Sequence, residues 1–283
     1  MKLIKTSFSI LEQAPHIEGI YKQIEMAGRT CYKSEDKITE DSAKEFVDRM
    51  IKSGHGAMLE HGTIYLGLDM TSREQYFKYC YNKFSKANST GSAEYGTWRG
   101  FVTTNLRVLV ENDWMEDLQY LCEPTEHHEK RHTVKFVCDR GVSHEFVRHR
   151  VFSFAQESTR YCNYSKDKFD NEITFIMPCW MNEEELASYG PYHTVCRSKT
   201  PESIFIASLN NAEQDYKALI DMGWKPQQAR AILPNALKTE LVMTGFVSNW
   251  KHFFELRDAG SAHPQARELA QPLHQEFIKR NWV

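Results

Sequence analysis

The sequence predicts an α+β fold: a single mixed domain over residues 1–283, with a twisted, largely antiparallel sheet packed by helices and a helical C-terminal third. Three observations carry this. Apolar residues recur at helical spacing near both ends of the chain; short alternating runs between them mark strands without a repeating βαβ rhythm; and no internal repeat, low-complexity tract or Pro/Gly/Ser linker separates domains.

Ile17, Ile20, Tyr21 and Ile24 share one face of a first helix that Gly28 can end, and Phe46, Val47, Met50 and Ile51 repeat the pattern between Asp41 and Gly54. Ile64, Leu66 and Leu68 alternate in TIYLGLD, and TVKFVC from Thr133 to Cys138 is a second strand, closed by Asp139, Arg140 and Gly141. From Thr200 to Gly223 the signals agree: Thr200 as cap, Pro201 in the first turn, a stripe of Leu209, Ala212, Tyr216 and Leu219, and Gly223 as stop. A further helix begins after Pro226 and resumes beyond Pro234, with Val242, Phe246, Trp250 and Phe253 on one side. A last one runs from Pro264 through Ala266, Leu269, Leu273 and Phe277.

Hydrophobic residues at 41% and charged ones at 26% exclude disorder and fibre. With 35 Lys plus Arg against 38 Asp plus Glu the net charge is −3, so no bulk positive field recruits nucleic acid or membrane, and any bound anion needs a local cluster. The start, MKLIKTSFSILEQAP, lacks the apolar stretch of a signal peptide, and a cytoplasmic protein is expected. Seven scattered cysteines without a C-x-x-C pair read for the most part as small buried hydrophobes, Cys162 among them, rather than disulfides or a zinc knuckle.

The segment Arg148-His149-Arg150-Val151-Phe152-Ser153-Phe154-Ala155-Gln156-Glu157-Ser158-Thr159-Arg160-Tyr161 concentrates donors suited to phosphate, with Phe152 and Phe154 to anchor it in the core. The competing reading is an arginine-rich surface loop paired with Glu157. His128-Glu129-Lys130-Arg131-His132 matches the H-E-x-x-H zinc pattern in letters. Pro124 before it and TVKFVC after it leave no room for the helix that pattern needs, so no metal site is expected. Ser158 has no base beside it and suits phosphate binding better than nucleophilic attack. No glycine-rich dinucleotide turn or P-loop is present.

R-H-R followed by seven residues and S, here Arg148-His149-Arg150-(VFSFAQE)-Ser158, resembles the signature of flavin-dependent thymidylate synthases. Three more segments resemble that family in the same order: Met58-Leu59-Glu60-His61-Gly62-Thr63, Arg230-Ala231-Ile232-Leu233-Pro234, and Asn249 to Arg257 (NWKHFFELR) followed by His263 and Gln265. The resemblance implies reductive methylation of dUMP to dTMP, with carbon from methylenetetrahydrofolate, hydride from FAD, re-reduction by NADPH, and a homotetramer whose subunits share active sites. It implies FAD contacts from Arg148, His149, Arg150, His61, Thr63, Gln156 and His252. Substrate contacts would come from Glu145, Gln156, Glu157, Ser158, Arg160, Arg230 and Arg257, with Arg257 stabilising charge that develops on the N3–O2 side of the uracil.

Blander readings stand beside these. Arg257 can cap its helix, His61 can be a satisfied core histidine, His252 an exposed helix residue and Arg230 a surface ion-pair partner. A non-catalytic nucleotide- or RNA-binding module using the same Arg/His cluster is the alternative function, opposed by the acidic net charge. The chain also departs from the family pattern. Glu145 stands where a glutamine is expected, and Phe246 and Ser248 lie on the helix where Asn and Arg face FAD in some members. The segment 71–134 reads as an insertion with a packing or interface role. It contains YFKYCYNKF, a turn at Trp98-Arg99-Gly100 and a helix through NLRVLVEND.

Overall fold

The computed structural model describes residues 1–166, 171–182 and 200–283; Cys196 lies outside them. Strands β1 (Lys2–Ile4) and β2 (Ser7–Leu11) precede helices α1 (His16–Tyr32), α2 (Ser42–Lys52) and α3 (Gly56–Leu59). Strand β3 (Thr63–Leu68), helix α4 (Arg73–Cys80), strands β4 (Lys86–Thr90) and β5 (Arg99–Asn105) and helix α5 (Leu106–Glu111) follow. Strand β6 (Arg131–Asp139), helix α6 (Arg140–Phe146) and strands β7 (Ser153–Gln156) and β8 (Thr174–Ile176) form the middle. Helices α7 (Pro201–Asp221) and α8 (Pro226–Ala229), strand β9 (Lys238–Phe246) and helices α9 (Val247–Arg257) and α10 (Pro264–Lys279) complete the chain.

The central sheet has the order β2-β6-β9-β7 and is antiparallel throughout. Because side chains alternate along a strand, Val134 and Phe136 of β6 stand beside Met243 and Leu241 of β9 on one face. There they bury with Phe146, Phe152, Trp250, Phe253, Leu269, Leu273 and Phe277 under α9 and α10. A second sheet, β3-β5-β4, packs with α1 and α2 around Ile20, Ile24, Phe46, Val47, Leu66 and Val102. The apolar side chains of segment 71–134 therefore share a core with the N-terminal helices. Among the described residues no helix is long and apolar enough to cross a membrane.

The helix expected beyond Pro234 is corrected: Lys238–Phe246 is β9, and only Val247–Arg257 is helical. Lying between β6 and β7, β9 is buried on both faces from Thr239 onward, so its apolar residues run continuously and do not alternate. Such a run is indistinguishable by period from a buried helix. Trp98-Arg99-Gly100 is not a turn but the entry to β5, with Arg99 paired to Thr90 and Gly100 to Leu68. The helix through NLRVLVEND forms as α5, capped by the Asn105 side chain.

Gly28 does not end α1. The helix continues to Tyr32 and closes at Lys33, in left-handed conformation at φ 47°. Gly28 is where α2 crosses, and a Cβ there would stand 2.4 Å from Phe46 Cζ. Alanine normally stabilises a helix over glycine by about 0.5–1 kcal/mol. Gly28→Ala is instead expected to destabilise by about 1–3 kcal/mol through overpacking, read as a lower urea midpoint.

Candidate active site

Helix α6 begins where Asp139 ends β6 and accepts the Val142 N–H (2.8 Å), and it delivers the chain directly into Arg148-His149-Arg150. Phe146 and Phe152 are buried on either side of that triplet, which turns His149 inward and leaves Arg148 and Arg150 exposed. Arg257, the last residue of α9, does not cap its own helix. Its Nε donates to His149 Nε2 (3.0 Å), Nη1 to Glu145 Oε2 (2.6 Å) and Nη2 to the Glu145 carbonyl (2.8 Å), leaving two of five N–H donors unused. Burial, then the Arg257 charge, holds His149 down to about 4, so the ring is neutral and Nε2 is free to accept. The Glu145 carboxylate is neutralised by Arg257 at the position where a glutamine was expected. His252 is exposed, bonds Glu255 (3.2 Å), and its ring stands 6.2 Å from that of His149.

The loop after β7 forms a second group. Gln156 Nε2 donates to Ser143 Oγ (2.8 Å) and Thr239 Oγ1 (3.2 Å), tying the loop to α6 and β9. The Ser158 N–H donates to the Cys31 carbonyl (3.0 Å), and Ser158 Oγ accepts the Arg160 N–H (3.3 Å), so this serine organises a turn. Arg230 Nη1 reaches Thr159 Oγ1 (3.2 Å), and Arg160 lies over the Tyr161 ring. Glu157 is buried and faces inward, accepting from Lys238 Nζ (2.8 Å) and the Tyr164 hydroxyl (3.2 Å). It supports the loop from below and is turned away from the exposed arginines. Lys238 also bonds Glu240 (2.6 Å), which Lys33 and Lys135 reach as well. These lysines hold the Glu240 carboxyl at about 2 against its burial.

His61 and Thr63 form a third group, buried behind β7. His61 Nδ1 pairs with Thr244 Oγ1 (2.8 Å) while its Nε2 has no partner, and burial, then the charge of Arg131, pushes the ring to about 3. Arg131 donates to Thr63 Oγ1 (3.2 Å), Ser153 Oγ (3.3 Å) and the Glu60 carbonyl (3.0 Å).

One chain thus brings Glu145, His149 and Arg257 into contact, and separately gathers Gln156, Glu157, Ser158, Arg160 and Arg230; α6 links the two through Ser143 and Glu145. It does not place Arg257 against Arg160 or Arg230. Arg148, Arg150, Arg160 and Arg230 are all exposed, and among the described residues none has a carboxylate partner, which opposes the loop-paired-with-Glu157 reading. Phe246 is the last residue of β9 and not a helix residue. Ser248, in the first turn of α9, donates its N–H to Glu129 Oε1 (3.1 Å). His128 and His132 lie on a turn and on β6: the first bonds the Leu66 carbonyl (3.2 Å), the second stacks on Trp282. Lys238 and Arg131 were missed as supporting residues because neither belongs to the motifs; Arg131 was visible only inside the false zinc pattern.

Two buried histidines and the half-buried His132 make stability depend on acid. His61 sits at about 3 and His132 and His149 at about 4, all mainly through burial, against about 6.5 in the unfolded chain. The unfolded chain binds the extra protons, so this contribution is complete above pH ~6.5 and is lost as pH falls toward 4, by up to roughly 1.4 kcal/mol per pH unit per histidine. Urea midpoints should drop steadily from about pH 7 to 5. A flat profile would show that these rings charge freely in the fold.

The family model described as thymidylate synthase complementing protein matches residues 15–78 and 74–280. A flavin-dependent thymidylate synthase of Pyrococcus furiosus is 31% identical over 144 residues, covering 51% of this chain and 52% of its own, so the chain spans about half the length of that relative. The protein of the same name from Corynebacterium aurimucosum is 24% identical over 250 residues, 87% of this chain and 71% of its own. Among solved structures, a UMP/dUMP methylase PolB from Streptomyces cacaoi bound with 5-Br dUMP is similar at 17% identity and a TM-score of 0.43, covering 99% of this chain and 93% of that one. With motif segments in family order and the family model matched along most of its length, the chain belongs to the thymidylate synthase complementing protein family, the flavin-dependent thymidylate synthases.

Proposed function

We propose that the protein methylates dUMP to dTMP with methylenetetrahydrofolate as carbon donor, FAD as hydride carrier and NADPH as reductant, as a cytoplasmic homotetramer. The observation that carries the reading is the set of four exposed arginines, Arg148, Arg150, Arg160 and Arg230, with no carboxylate partner among the described residues, in a chain of net charge −3 that belongs to this family. Guanidinium forks left unpaired on one surface segment and its neighbour are suited to phosphate oxygens.

The residues also fit a flavin nucleotide. His61 Nε2 and Arg131 Nε are buried polar atoms without partners beside Thr63, and the exposed Arg148 and Arg150 offer donors to its phosphates. FAD supplies the hydride when bound; the rest is positioning by this chain's residues, in sites shared between subunits that bring the Arg160–Arg230 group and the Arg257 group to one substrate. Arg160 and Arg230 take the dUMP phosphate, with Ser158 holding the loop turn and the inward-facing Glu157 fixing it to β9 through Lys238. Arg257, oriented by Glu145 and His149, presents its two remaining N–H donors to the N3–O2 side of the pyrimidine, where charge develops as C5 becomes nucleophilic. His252 and Gln156 border the same region. Burial raises the thiols of Cys31, to about 11, and of Cys122 and Cys179, which keeps them protonated and supports a route without a cysteine nucleophile.

Purified protein should take up FAD, turn yellow, and release tritium from dUMP labelled at C5 when folate and NADPH are supplied. Protein that stays colourless with added FAD and releases no tritium overturns the reading; oligonucleotide binding that weakens steeply with salt would favour the non-catalytic alternative.

A further inference from the structure

A buried cation outside every family motif stands next to the site. Arg131 opens β6 directly opposite Phe246 of β9, and its guanidinium lies 5.5 Å from that ring. Its three hydrogen bonds go to neutral acceptors, Thr63 Oγ1, Ser153 Oγ and the Glu60 carbonyl, and its Nε has no partner. Among the described residues no carboxylate lies within ion-pair distance. Glu60, an acid whose charge acts on it, is engaged by Arg107 (2.5 Å). Burial lowers the guanidinium only to about 10, so it stays charged near neutral pH.

A buried charge of this kind is strongly unfavourable unless an opposite charge meets it. Arg131 borders a cleft of about 370 Å³, also lined by Gln13, Thr63, Tyr65, His132 and Trp282. The histidine there has its own unpartnered buried Nε2. The cleft therefore combines a fixed positive charge, an unused imidazole nitrogen and two aromatic walls.

We propose that Arg131, supplied by the end of segment 71–134, is a ligand-binding residue that takes an anionic oxygen group of a molecule entering this cleft: the diphosphate of the flavin nucleotide or the glutamyl carboxylates of the folate. The proposal rests on the reading of the protein as a flavin- and folate-using enzyme. It gives segment 71–134 a binding role in addition to packing. It also places a cation beside Phe246, one of the two positions where the sequence lacks the polar pair found in some members.

The test uses the full-length protein and Arg131→Met, with Arg131→Lys as the variant that keeps charge but loses the fork. FAD, riboflavin, methylenetetrahydrofolate and a pteroate lacking glutamate are each titrated by fluorescence or calorimetry. Loss of one charge-assisted contact should weaken the affected ligand about 10- to 100-fold in the methionine variant, with an intermediate loss for lysine. A loss confined to FAD and absent for riboflavin assigns the diphosphate; a loss confined to the folate and absent for the pteroate assigns the glutamyl group. Unchanged affinity for FAD and for folate overturns the proposal, and if the methionine variant does not fold the lysine variant decides by the same titrations. Wild-type protein that binds neither FAD nor folate refutes the parent reading instead, which separates the two failures.

Discussion

Arg257→Ala is expected to keep FAD bound and to lower methylation of dUMP by about a hundredfold or more, the usual cost of removing a donor that acts on transition-state charge. Three bonds vanish with the guanidinium, to His149, to the Glu145 carboxylate and to the Glu145 carbonyl. The Glu145 side chain is 30% exposed and can hydrate once freed, so the fold should lose only about 1 kcal/mol. Arg257→Lys keeps a positive charge but cannot hold both Glu145 and His149 while facing a substrate, and should recover little activity. Tritium release, flavin absorbance and a urea midpoint measured on the same preparations separate the effects. Near wild-type turnover in the alanine variant would remove Arg257 from the chemistry. Loss of flavin would make it a cofactor residue instead.

Lys238→Met carries the largest expected effect on stability. Lys238 Nζ is shared by Glu157, whose side chain is 1% exposed, and Glu240 at 9%, and removing it strands carboxylates that water does not reach. Breaking a buried pair on one side costs about 3–5 kcal/mol. Glu240 keeps Lys33 and Lys135, so most of the loss falls on Glu157, left among the described residues with the Tyr164 hydroxyl. The double variant Lys238→Met with Glu157→Gln removes both charges and should recover a substantial part of the stability, because the two changes are coupled. KM for dUMP should rise more than kcat falls, since the pair holds the loop of Ser158 and Arg160. Additive losses in the double variant would show that the carboxylate is not dependent on this lysine.

The segment proposed to bind anions was legible because its chemistry is written contiguously: three arginines, a histidine and two phenylalanines between positions 148 and 160. The helices α2, α7 and α10 were legible for a related reason, since a surface helix exposes its period and its caps to the sequence. Strand β9 was not. A strand buried on both faces has no alternation to read, and its identity rests on hydrogen bonds to β6 and β7, which lie far away in sequence. The role of Gly28 was hidden likewise, because only the crossing of Phe46 explains the missing side chain.

By itself the sequence determined the family, the mixed α and β character, and the residue types concentrated for phosphate. Local spacing encodes capping, amphipathic faces and motif order, so these need no knowledge of distant partners. Only the tertiary structure decided that Glu157 faces inward to Lys238, that Glu145 and His149 grip Arg257, and that Arg131 stands beside Thr63 with no counter-ion among the described residues. Each of those facts is a pairing, or a missing pairing, between side chains 68 to 112 residues apart, which only the packing of distant elements brings together. Burial fixes their meaning, because the same charges on an open surface would be hydrated and silent.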